Sequence, residues 1–333
     1  MENSNIALLV LTMAHGSLQY WPHRRAQRRL PRARANPKIK EQTMASLVAF
    51  KVGMTHLMMV DDSDSPSKNQ EISRACTLLE VPRMEVYGIR LYGKDPLTHY
   101  KTTKTEVLNK SVAQKLNIKK IQHDESKLDS FKQRIGDYTD AAALVVAYPK
   151  DLKGAEQNHP VKFESAVGGN TVQEKFDFVT KFLGKEIKAT DVFKPGEYVD
   201  VMAITKGKGW AGPIKRFGVK RNFHKATNKI RHGGPLGAFG SGKVFYSIPR
   251  AGQMGFNYRT EHNKRLLKLG AKADADKVNV SGGYLNYGLI SNDYIVVDGS
   301  VGGPAKRMVR LRKSIRNRNL KGVKEPKIQY ISK

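Results

Sequence analysis

The chain has 333 residues, with 59 lysines and arginines against 30 acidic residues, a net charge of +29, and one cysteine. That length allows about two domains and a core that is not marginal, while a single cysteine excludes an internal disulfide and a cysteine-built zinc cage. No wholly apolar run, residues 141–148 included, approaches the ~20 residues that a membrane-spanning helix needs.

At the N-terminus, residues 6–13 are apolar, but the only charged side chain before them is Glu2, so a secretory signal with a basic leader is not expected. Met13 is an alternative start, which would leave residues 1–12 as an extension. Residues 15–40, HGSLQYWPHRRAQRRLPRARANPKIK, read as a basic extension. Pro22, Pro31 and Pro37 break any long helix, and little apolar material is present to fold. The pairs Arg24-Arg25 and Arg28-Arg29 beside Tyr20 and Trp21 suit phosphate pairing next to base stacking.

Residues 47–93 carry a β pattern. LVAFKVGMTHLMMV has a turn-like Val52-Gly53 between two apolar runs, and ISRACTLLEV and MEVYGIRLYG follow. Within ISRACTLLEV, Cys76 sits among mostly apolar neighbours and reads as a core thiol, not a nucleophile, in a reducing compartment. Residues 96–190 change character. LNKSVAQKLN, ESKLDSFKQRI and VQEKFDFVTKFLGKEI have helical spacing, and AAALVVAY between them reads as a buried strand. Asp124 and Glu125 are placed to cap a helix, and charges alternate in sign as on an ordinary solvated surface. The segment reads as an inserted α/β subdomain. Strand pattern returns at YVDVMAIT and at GYLNYGLISNDYIVVDGSV, where Asn292-Asp293 and Asp298-Gly299 supply turns. RMVRLRKSI alternates apolar and basic residues, which predicts a strand with one charged face. Strands on both sides of the insert should close one barrel-like core, making the chain mainly β with an α+β insertion.

Charge placement says more than total charge. Residues 3–40, 201–260 and 299–324 contain no acidic residue and together hold the whole net charge; elsewhere the two signs balance. Unopposed like charges repel unless something neutralises them, so a polyanion partner is implied. Residues 201–260 also interleave glycines with Trp210, Phe217, Phe223, Phe239, Phe245, Tyr246, Phe256 and Tyr258, at spacings that fit no single helix or strand face. A free linker would not carry so many aromatics. Glycine for close approach, cations for phosphates and rings for splayed bases make this a long RNA-seeking loop.

One motif competes with that reading. Residues 237–243 match G-x-x-x-x-G-K, the spacing of a phosphate loop. Position 244 is valine where a magnesium-binding Ser or Thr belongs, the upstream flank is polar and basic, and the downstream VFYSIPRAG is β-like, not helical. His224 and His232, eight apart with no cysteine nearby, make no recognisable metal set, and no carboxylate lies in the loop to serve a general base. No cofactor and no metal are expected.

HGSLQYWPHRRA, AFKVGMTH, ITKGKGWAGPIKRFG, RAGQMGFNYRTEHNKRLLKLG and YGLISNDYIVVDGSVGGPAKRMVRLRKSI, in that order, resemble the family of large-subunit ribosomal protein three in its archaeal and eukaryotic form. The resemblance covers most of the chain and fits an archaeal member best. It implies a β-barrel body of the translation-protein type at 47–95 and 191–315, an α/β insert at 96–190, a basic extension at 1–46 and a basic tail at 316–333. It further implies early binding to large-subunit rRNA near its 3′ end, nucleation of subunit assembly, and cytoplasmic ribosomes as the location. Ribosomal proteins fourteen and twenty-four-e become expected neighbours. A finger at about 206–260 is expected to reach toward the peptidyl transferase centre without supplying catalytic groups. Where relatives commonly have tryptophan at the finger tip this chain has Phe239, which keeps a stacking face but lacks the indole N–H. Thr227 stands where some eukaryotic relatives have a modifiable histidine.

The expected function is therefore non-enzymatic rRNA binding in the large ribosomal subunit. Candidate contacts in the extension are Trp21, Arg24, Arg25, Arg28 and Arg29. Those in the loop are Lys206, Lys208, Trp210, Lys215, Arg216, Lys220, Arg221, Lys225, Arg231, His232, Phe239, Lys243, Arg250, Gln253 and Arg259. Arg310 and Arg312 complete the set near the C-terminus. The alternatives are a nucleotide-dependent RNA enzyme using residues 237–243 and a DNA-compacting basic protein indifferent to 2′-hydroxyls.

Overall fold

The computed structural model describes residues 21–119, 121, 123–232, 237, 242–245, 247–316 and 324–332. In chain order the strands begin with β1 Ser46–Val60 and β2 Glu71–Glu80. Next come β3 Arg83–Lys94, β4 Lys101–Leu108, β5 His123–Asp124, β6 Asp140–Tyr148, β7 Val161–Ala166 and β8 Glu186–Ile187. Then follow β9 Tyr198–Ile204, the short β10 Trp210–Ala211 and β11 Gly252–Gln253. β12 Tyr258–Gly270, β13 Tyr294–Asp298, β14 Met308–Lys313 and β15 Ile328–Ile331 complete the order. The chain divides into two compact units, Leu30–Ala203 with Arg259–Lys333, and Met1–Arg29 with Ile204–Tyr258.

In the larger unit a barrel forms. The hydrogen-bonded order β14-β9-β12-β13-β2-β1 returns to its start because β1 also pairs with β14, Ser46 opposite Arg312 and Phe50 opposite Met308. A closed ring leaves no edge among these strands. β15 pairs antiparallel with the far end of β1. Burial along β1 explains its sequence. Its first five residues are buried on both faces, and from Lys51 onward buried positions are interspersed with half-exposed ones and with the exposed Met54 and His56.

No turn occurs at Val52-Gly53. β1 continues through it with a bulge, the register moving from Lys51 opposite Leu79 to Gly53 opposite Leu78. The glycine eases a close approach, since a Cβ there would lie 3.3 Å from Cδ1 of Tyr284, tighter than an ordinary contact.

The second sheet has the order β5-β4-β3-β6-β7, antiparallel except for β4 with β5, and β8 pairs with β3. It contains β3, so this sheet starts at Arg83, ahead of the boundary expected at 96. AAALVVAY is the buried strand β6, as expected. The helix Val172–Phe182 begins where Thr171 accepts from the Glu174 amide at 3.2 Å, and it buries Phe176 and Val179. The expected helices at Lys110–Lys115 and Leu128–Gln133 are short; Asp124 stands at the cap position before Glu125–Lys127 but makes no capping hydrogen bond. Phe176, Val179, Ile89 and Val145 of the insert share one apolar cluster with Leu47, Phe50, Val309 and Leu311 of the barrel. Cys76 is fully buried, and burial pushes its thiol up to about 12.

Candidate nucleic-acid interface

In the smaller unit the arms 205–211 and 252–257 run antiparallel. β10 pairs with β11, Trp210 opposite Gln253, and the Lys208 amide donates to Met254 O at 2.9 Å. The Thr205 amide donates to Asn257 O at 3.0 Å, and the Asn257 amide returns a bond to the Thr205 hydroxyl at 3.1 Å. The arms approach so closely at Gly255 that a Cβ there would lie 2.0 Å from Lys206 O, and its φ of +71° suits glycine alone. The N-terminal segment joins the same structure. The Ala26 amide donates to Phe256 O at 2.8 Å, and Asn257 Nδ2 donates to Arg24 O at 3.0 Å. Two stretches far apart in sequence thus form one basic body, a union that no local pattern foretells.

This unit has no carboxylate side chain among its described residues. Arg24, Arg25, Arg28, Arg29, Lys206, Lys208, Lys215, Lys220, Arg221, Lys225, Arg231, His232, Lys243 and Arg250 are all exposed. Lys229, absent from the sequence candidates, is exposed with them. Trp210 is 79% exposed, and Phe223, also absent from the candidates, is 80% exposed with Lys220 Nζ 5.9 Å from its ring centroid. An exposed aromatic beside a cation is the pairing that holds a base and its phosphate together. The acid-free, aromatic-interleaved composition of 201–260 could have flagged both Lys229 and Phe223.

Several candidates hold the unit together instead. The Trp21 ring is half-buried and stacks on Phe217 at 6.1 Å with an interplanar angle of 21°, and His23 lies 5.9 Å from the same Phe217. Arg216 donates through Nε to Gln253 O at 3.1 Å and through Nη1 to Arg250 O at 3.0 Å, and its guanidinium sits 5.0 Å from the Phe217 centroid. Burial draws the Arg216 guanidinium down from its ordinary value. The Gln253 amide nitrogen donates to Met254 O at 3.2 Å and Gly255 O at 3.1 Å. Arg259, half-buried, belongs to β12.

Arg310 and Arg312 depart furthest from expectation. β14 is buried at every position, so its basic residues form no exposed charged face. Arg310 donates to Ser46 Oγ at 2.9 Å and to Glu164 O. Arg312 Nη2 donates to Oδ2 of the fully buried Asp200 at 2.5 Å, and Nη1 donates to Ala35 O at 2.5 Å. Both guanidiniums serve the interior of this chain. A buried pair of this kind is far more costly to break than to keep.

Phe239 lies outside the described residues, as does most of 233–241. Of the phosphate-loop pattern, Gly237 and Gly242 have φ of +147° and +61° with nothing within 4 Å of a notional Cβ. The described residues after Lys243 begin no helix, and VFYSIPRAG forms no strand over its described positions until its last residue, Gly252, opens the short β11. The setting of a nucleotide loop is missing on the downstream side. Among the described residues no cluster of His, Cys, Asp or Glu could hold a metal ion. Thr227, with φ of +48°, interrupts the short helical stretch His224–Lys229.

Comparison with known proteins agrees with this chemistry. Residues 11–333 match the family model described as Ribosomal protein L3. The chain is 38% identical over 326 residues to the large ribosomal subunit protein uL3 of Methanothermobacter thermautotrophicus, covering 95% of both chains. It is 39% identical over 326 residues to the protein of that name from Methanocaldococcus jannaschii, again covering 95% of both. With Methanosphaera stadtmanae the identity is 38% over 325 residues, with the same coverage. A barrel with an inserted sheet, an acid-poor basic unit and these relatives lead to one conclusion: the chain belongs to the ribosomal protein L3 family.

Proposed function

We propose that the chain is a non-enzymatic structural constituent of the large ribosomal subunit, working in the cytoplasm and binding the large rRNA near its 3′ end. The observation that carries this reading is the basic unit built from residues 21–29 and 204–258, whose exposed cations have no carboxylate among its described residues to answer them. Cations so arranged neutralise phosphates, and rRNA helices that would repel one another can then pack, which is how an early-binding protein nucleates assembly. Trp210 and Phe223 supply rings for unpaired bases. On this reading the central loop points toward the peptidyl transferase centre, and ribosomal proteins fourteen and twenty-four-e are neighbours, as the family resemblance implies.

The test is binding of the full chain to a 3′-terminal fragment of the large rRNA across a salt series. The log–log slope should be steep and grow by ~0.7–0.9 for each phosphate contacted. A nearly flat slope would refute the mechanism, and equal competition by DNA of matched length would favour a general polyanion binder.

A further inference from the structure

Residues 220–232, KRNFHKATNKIRH, turn back on themselves around one side chain. The Asn222 backbone amide donates to Ile230 O at 3.0 Å, and Asn222 Nδ2 donates to Lys229 O at 2.9 Å. The same Nδ2 reaches His232 O at 3.4 Å. An asparagine side chain carries two N–H donors, so one residue can hold two carbonyls at once, and alanine holds none. Within the loop so closed, the Ala226 amide donates to Phe223 O and the His232 amide to Lys229 O, each at 3.0 Å. Phe223 adjoins the clasp in sequence. Its ring is 80% exposed, with Lys220 Nζ 5.9 Å from the centroid.

The company this ring keeps selects its occupant. Lys220, Arg221, Lys225, Lys229 and Arg231 are all exposed, and no carboxylate occurs between 220 and 232. The core of a protein–protein interface is depleted of charge. A second copy would bring its own net charge of +29, and like charges repel. A nucleic acid instead offers phosphates to the cations and a base face to the ring. Only an unpaired base can be splayed out to stack on a side chain. We propose that Asn222 is a positioning residue: by closing 222–232 it holds the Phe223 ring ready to stack on an unpaired rRNA base. Asn222 acts through Phe223 and not on the RNA itself. Loose lysines still find phosphates, but a ring must be presented face-on. The proposal rests on the reading of this chain as an rRNA binder.

The full chain and the 3′-terminal rRNA fragment, with no other protein present, test it across a salt series. Phe223→Ala should weaken binding about 5- to 150-fold, the range for one stacked base. Phe223→Trp should bind as the parent does, and Phe223→Leu should behave like Phe223→Ala. Asn222→Ala should weaken binding about 2- to 12-fold, the range for one net hydrogen bond, at the parent's salt slope. In the Phe223→Ala background it should add nothing. Parental affinity in Phe223→Ala, or in Phe223→Leu, would mean that no base stacks there and would overturn the proposal. A lowered salt slope in Asn222→Ala, or an undiminished cost beside Phe223→Ala, would mean that Asn222 supports the whole unit and would overturn its positioning role. A parent chain with a flat slope overturns the reading beneath; a steep parental slope leaves the variants to judge this proposal alone.

Discussion

Replacing Glu80 with alanine should destabilise the barrel-bearing unit by about 3–5 kcal/mol. Glu80 is fully buried at the end of β2 and accepts from the Tyr287 hydroxyl at 2.6 Å and from the Ser291 and Asn292 amides at 2.9 Å each. Burial and the adjacent carboxylate push the Tyr287 phenol up, so it stays a donor. Removing the carboxylate orphans three donors at roughly 1–3 kcal/mol each. The relief of no longer burying a charge offsets part of that sum, which brings the net to about 3–5 kcal/mol. The unit comprises Leu30–Ala203 and Arg259–Lys333. For a domain of this size each kcal/mol moves the melting temperature by about 2–4 °C, so calorimetry of the full chain should record a fall of about 6–20 °C. Tyr287→Phe alone should cost about 1.5–3 kcal/mol, the range for a hydrogen bond to a charged group. Adding it to Glu80→Ala should cost nothing more, because phenylalanine leaves no orphan hydroxyl. A fall below about 2 °C for Glu80→Ala, or simple additivity in the pair, would refute the reasoning.

The Arg265 guanidinium, hydrogen-bonded to Asp62 at 2.7 and 2.5 Å, holds that carboxyl below the usual range. Its stabilising contribution is present above the unfolded value near pH ~4 and is lost as pH falls through the lowered folded value. Asp62→Asn should therefore melt below the parent at neutral pH, and the two curves should converge in acid. Cys76, with its thiol pushed up to about 12 by burial, should resist a thiol reagent at neutral pH until the chain is unfolded. Lys220→Ala should reduce the salt slope of RNA binding by ~0.7–0.9. Arg216→Ala should weaken binding with the slope unchanged, because its guanidinium is spent on the Gln253 and Arg250 carbonyls.

Features decided by local pattern were legible in the sequence, and features decided by distant partners were not. AAALVVAY and YVDVMAIT read as strands because a buried strand needs little beyond a short β-rich apolar run. Val52-Gly53 read as a turn because glycine permits one; the Tyr284 ring, from a distant loop, makes the glycine a point of close approach. Alternating arginines in β14 read as an exposed face, but Asp200 on β9 and Ser46 on β1 supply interior partners. Trp21 read as a base stacker until Phe217 took its face. VFYSIPRAG had the composition of a strand, yet among its described residues only the last, Gly252, finds a strand to pair with. The basic character of the smaller unit was fully visible, since composition records charge wherever the chain folds. Which cations stay outward was not.

Barrel closure by β1 and β14 joins Ser46 to Arg312, two residues separated by almost the whole chain. A ribosome adding ~5–20 residues per second needs roughly 13–50 seconds between one and the other. Through that interval β2 pairs with β1 only from Phe50 onward, and the edge of Ser46 to Phe50 that β14 will cover stands open. The second sheet, from β3 to β8, lies wholly within that interval and can pack first. An open apolar strand edge on a nascent chain invites pairing with a neighbour. The newborn protein therefore passes through a stretch of its synthesis in which shielding of that edge, by a chaperone or by the packed second sheet, decides between closure and aggregation.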